Sequence, residues 1–117
     1  MTTEVSRAAA LESFAALRQS MLDVVATFSH EAEISERLLE VLASDVPITD
    51  LVARFDVTGE RVRLNNVLDT YETRRRQARA SLWRIMLAEG CPVGEVSRIF
   101  GLSRQLVSRQ LKAEEAS

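Results

Sequence analysis

The chain has 117 residues, 46% of them apolar, 5% aromatic and 27% charged, with only 4 Gly and 2 Pro, which is enough apolar content for one core or two small helical lobes. A formal net charge of -2 hides a segregation: residues 1 to 60 carry 4 Arg against 11 Asp or Glu, and residues 61 to 117 carry 11 Arg or Lys against 6. One cysteine, Cys91, and one histidine, His30, exclude an intrachain disulfide and argue against a metal centre, and with no phosphate loop, nucleophile elbow or Ser/His/Asp set the sequence nominates no catalytic residue, no cofactor and no enzyme.

The first segment, MTTEVSRAAALESF, lacks the basic start and continuous apolar run of a secretion signal, and no window approaches the ~18 apolar residues of a membrane span, so a cytoplasmic protein without membrane contact is expected. Residues 3 to 28 contain no Gly or Pro and place Leu11, Phe14, Leu17, Met21, Val25 and Phe28 at alternating steps of three and four, which predicts an amphipathic helix. That stripe could cover the core of its own chain or form a dimer seam. A second helix is predicted from Ala32 to Ala43 on Ile34, Leu38, Leu39 and Leu42, and Pro47 then breaks the chain.

From Gly59 to Glu89 no breaker occurs, which predicts one long helix of ~1.5 Å per residue. It carries Leu64, Leu68, Tyr71, Ala78, Leu82 and Ile85 on one stripe and the basic cluster Arg74, Arg75, Arg76 and Arg79 near its middle. Trp83, Met86 and Leu87 are expected to form the core of a C-terminal lobe. Within Pro92 to Lys112, PVGEVSRIFGLSRQLVSRQLK, apolar residues at Val93, Val96, Ile99 and Phe100 and at Leu102, Val107 and Leu111 predict two short helices about Phe100-Gly101-Leu102-Ser103. Gly101 supplies the positive φ that ends the first, and Ser103 can cap the second. The outward face of the second helix carries Arg104, Gln105, Ser108, Arg109 and Lys112.

The run Phe-Gly-Leu-Ser-Arg-Gln-x-Val-Ser-Arg-x-Leu, at Phe100 to Leu111, resembles the turn and recognition helix of bacterial helix-turn-helix regulators and resolvases. The resemblance covers about 20 residues of the chain, since the apolar, glycine, cap and basic positions of such a unit agree in register. It implies double-stranded DNA as partner, with Arg104, Gln105, Ser108 and Arg109 reading base edges and Ser103 and Lys112 touching phosphates.

Shifted by 45 residues, PITDLVARFDVTGERV at 47 to 62 lies on PVGEVSRIFGLSRQLV at 92 to 107, with identities at Pro47/Pro92, Phe55/Phe100 and Val62/Val107 and, just upstream, Leu42/Leu87 and Ala43/Ala88. Two tandem helix-turn-helix units are therefore expected. In the first, Asp56 stands in for the turn glycine, which aspartate tolerates because it visits the left-handed region more readily than most residues, and Thr58 matches the capping Ser103. Gly59 and Glu60 replace Arg104 and Gln105, so the first unit is expected to read few bases, with Arg61 and Arg63 left to meet phosphates; Arg79, at the start of the second unit, is also expected to meet a phosphate.

The expected architecture is all-α, with about six helices: an N-terminal helical region over 1-44 that is a candidate for dimerisation, a degenerate first unit over 45-75, and the DNA reader over 76-117. The expected function is sequence-specific duplex binding by a homodimeric transcriptional regulator. A protein-interaction adaptor or antitoxin-like module, with an unidentified protein partner, or a recombination or plasmid-maintenance accessory factor, is the alternative.

Overall fold

A computed structural model describes residues 3 to 116, with side-chain surroundings for 6 to 115. It is all-helical among these residues: α1 spans Thr3–Leu42, α2 Ile48–Val52, α3 Val57–Ala88, α4 Val93–Phe100 and α5 Arg104–Ala116. The two N-terminal helices expected from the sequence are one, of 40 residues. Ser29, His30 and Glu31, where a break is expected, include neither Gly nor Pro, and the three-four spacing of half-buried positions 24, 27, 31 and 34 runs straight through them. Five helices therefore replace the expected six.

Each turn is closed by local chemistry. At the end of α1 the Ser44 hydroxyl donates to Val41 O at 2.7 Å and accepts from the Val46 amide at 3.2 Å, so a side chain takes the place of further helix. Pro47 and Pro92, which the 45-residue shift superimposes, each occupy the N-cap position of a helix, α2 and α4, with extended backbone. The start of α3 differs from its expected counterpart. No residue other than glycine has positive φ among the described residues, so Asp56 does not take the left-handed conformation anticipated for it. It caps α3 instead: its Oδ1 accepts from the Gly59 amide at 3.0 Å, and the helix begins at Val57, two positions earlier than α5 does on the shifted alignment. A Cβ at Gly59 would lie 2.1 Å from the Asp56 carboxylate, which explains the glycine there as room for the cap.

The chain divides into two compact units, residues 1 to 18 with 72 to 117, and residues 19 to 71. All the buried apolar side chains belong to the first. Trp83 from α3, Val96 from α4 and Val107 from α5 are fully enclosed, with Met86, Leu87, Cys91, Val93, Phe100, Leu102 and Leu111 packed around them. Each such burial is worth about 1.5 to 3 kcal/mol. The Trp83 and Phe100 rings lie edge to face, their centroids 5.7 Å apart and their planes at 84°, a contact that fixes the close of α4 against α3. Among the described residues the second unit buries only Ser20, and its apolar side chains line an open groove of about 340 Å³ floored by Ile34, Leu38, Leu51, Val52, Phe55 and Leu64.

Candidate nucleic-acid interface

A tied turn, a side-chain cap and a buried face fix α5. Gly101, at φ 65°, ends α4 in the left-handed conformation required by its position. The Leu102 amide returns to Ser97 O at 3.0 Å, and the Ser97 hydroxyl donates to Leu102 O, so the turn is tied to α4 twice. Ser103 then caps α5 by accepting from the Leu106 amide at 3.1 Å. Val107 is buried and Leu111 packs against the core, which leaves the other side of α5 to solvent.

That outer side carries Arg104, Gln105, Arg109 and Lys112, all exposed, with Ser108 half-buried beside them. Positions 104, 105, 108, 109 and 112 fall on one face because successive residues step by about 100° around the helix. None of Arg104, Arg109 and Lys112 enters an ion pair among the described residues. Residues 72 to 117 carry 9 Arg or Lys against 5 Glu, so the surrounding unit is positive.

The structure adds a relationship that spacing alone does not reveal. The Arg104 guanidinium lies across Gly94, where a Cβ would come within 2.7 Å of its Nη2. Gly94 thus gives the first side chain of α5 a flat seat on α4.

Two further arginines have structural partners. Arg79 lies with its guanidinium carbon 5.0 Å from the Trp83 ring centroid and donates to Gln110 Oε1 of α5. Burial, reinforced by the positive charge of Arg75 and Arg76 and opposed by Glu72, lowers its pKa from the ordinary guanidinium value. Arg84 donates to the Leu111 carbonyl at 3.5 Å. Both belong to α3 and both reach α5, so part of the basic cluster read from the sequence serves to seat the helix. Arg75 pairs with Glu72 at 3.0 Å, while Arg74 and Arg76 remain exposed.

Arg61 and Arg63 lie in the other unit, exposed on the first turns of α3. Arg63 is paired with Glu60 at 2.8 Å, and His30 Nε2 approaches the same carboxylate at 3.5 Å. The hydrogen bond from Arg63, helped by His30 and opposed by burial, holds Glu60 below the usual carboxylate range. Among the described residues no cluster of His, Cys, Asp and Glu could hold a metal ion, and no helix is long and apolar enough to cross a membrane. Comparison of the chain with protein-family models, with curated proteins and with solved structures finds no match.

Proposed function

We propose that this protein is a sequence-specific duplex DNA-binding regulator in which α4, the Gly101 turn and α5 act as a helix-turn-helix, with α5 entering the major groove. The observation that carries the reading is the solvent-facing side of α5, where Arg104, Gln105 and Arg109 stand exposed on a helix anchored behind by Val107 and capped by Ser103. Arginine forks suit guanine edges, and the Gln amide suits adenine. Ser103 and Lys112, at either end of that face, are assigned to phosphates, and Ser108 to a minor base contact. In the same reading α2 and the start of α3 form a first unit of the same kind, in which Arg61 and Arg63 add phosphate contacts without base readout. A chain with one reading helix gains specificity by doubling it, so the active form is assigned as a homodimer on an inverted repeat.

Selection of binding sites from a random duplex pool with the purified protein tests this. A recurrent inverted motif, bound with an affinity that falls steeply with salt and withstands competitor DNA, is the expected result. An unenriched pool would overturn it. The open apolar groove between Ile34, Phe55 and Leu64 supports a second reading, an adaptor for another protein, which predicts an inert response to every duplex together with stoichiometric capture of one polypeptide.

A further inference from the structure

The apolar stripe of α1 is two stripes. Positions 6, 10, 13, 17, 20, 24, 27, 31 and 34 are buried or half-buried at steps of three and four, and position 41, seven further on, continues the same seam past the exposed Leu38. One residue further on, about 100° around the helix, a second seam repeats the same steps through Leu11, Phe14, Arg18, Met21, Val25, Phe28, Ala32, Ser35, Leu39 and Leu42. Its seven large apolar side chains are between 41% and 74% exposed. Among the described residues they stand exposed, yet their spacing is that of a helix with a partner.

We infer that this second seam pairs α1 antiparallel with α1 of a second copy of the chain, about a two-fold axis passing between Ala26 and Thr27. The seam is self-complementary in that direction. Leu11 then faces Leu42 of the second copy, Phe14 faces Leu39, Met21 faces Ala32, and Val25 faces Phe28 across the axis. The one charged member, Arg18, meets Ser35. Every layer joins an a position to a d position, as antiparallel heptads require, and the bulky Met21 is matched with the smallest apolar member. A parallel pairing would set Arg18 against its own copy, two like charges in one layer, and would stack Ala32 on Ala32 and Ser35 on Ser35, leaving those layers underfilled. The seven side chains expose on the order of 700 Å² per copy, close to the ~800 Å² per partner of a stable interface. This inference rests on the dimeric part of the proposed function and not on its DNA contacts, so an absence of DNA binding leaves it standing.

The test uses the full chain. Sedimentation at micromolar concentration is expected to give twice the 13.1 kDa chain mass. In a Cys91→Ala background, a chain carrying both Arg18→Cys and Ser35→Cys should become a covalent dimer under mild oxidant, whereas either substitution alone should not. Val25→Asp with Phe28→Asp should halve the native mass while leaving the Trp83 fluorescence unchanged, since both side chains are exposed in a single copy; the thiol experiment decides even where the aspartates unfold the chain. A monomeric native mass overturns the inference, as does a mass that resists the aspartates. Cross-linking through Arg18→Cys alone, or a dimer in which the paired thiols never join, overturns the antiparallel register.

Discussion

Arg79→Ala separates a seating role from a phosphate contact. The side chain gives up a cation–π contact with Trp83 and its donation to Gln110. The ring contact is worth about 0.5 to 2 kcal/mol, and a hydrogen bond involving a charged group about 1.5 to 3 kcal/mol. Relief from burying a guanidinium offsets part of this, since its lowered pKa reports a desolvation cost. The expected net loss is therefore about 1 to 3 kcal/mol, which for a unit of this size lowers Tm by roughly 4 to 8 °C per kcal/mol. Trp83, the only tryptophan, touches the altered residue, so urea unfolding followed by its fluorescence reads the loss directly. Below the transition, binding to a selected duplex should keep the salt slope of the unaltered protein. Lys112→Ala should do the reverse, preserving Tm and shallowing the log-log slope by about one unit. An Arg79→Ala protein of unchanged stability with a slope shallower by one would refute the seating role and restore a phosphate contact.

Arg104→Ala and Gln105→Ala should each cost about 1 to 3 kcal/mol on the preferred duplex and relax base preference, as read by competition between site variants; unchanged selection by both would mean that α5 is not the reader. Asp56→Ala should destabilise the start of α3 by about 0.5 to 2 kcal/mol through loss of the cap, measured by thermal unfolding followed by far-UV circular dichroism, and Asp56→Ser should recover most of it. Glu60, whose folded pKa lies below its ordinary 4.5 because Arg63 donates to it, contributes stability that is fully present above that ordinary value and lost as pH falls through the lowered one. Glu60→Gln should therefore narrow the gap in urea midpoint between neutral and acid pH, and an identical pH dependence in both proteins would show that the pair contributes nothing.

The C-terminal elements were legible because their signals are local. Gly101 can supply positive φ, Ser103 can cap, and the three-four spacing of Val96, Phe100, Val107 and Leu111 fixes which sides of α4 and α5 face inward. The start of α3 departs from the expectation because the shifted alignment sets Thr58 on Ser103, whereas Asp56, itself a favoured N-cap residue, takes the capping place. The break near residue 30 was misplaced for a different reason. Between Phe28 and Ile34 there is neither Gly nor Pro, and the one cap-forming residue, Ser29, does not interrupt the helix. The seat of Arg104 on Gly94 and the reach of Arg79 to Gln110 join residues on different helices, so no spacing within one element announces them.

The confinement of every buried apolar side chain to one of the two units has a consequence for how the chain comes apart. In a single copy, backbone amides of residues 19 to 71 are guarded by helical hydrogen bonds with little enclosed hydrocarbon behind them, so their exchange with deuterium should proceed through shallow local openings. Amides flanking Trp83, Val96 and Val107 should exchange only when the enclosed cluster itself disperses. The molecule then melts in stages, and tryptophan emission follows only the later one.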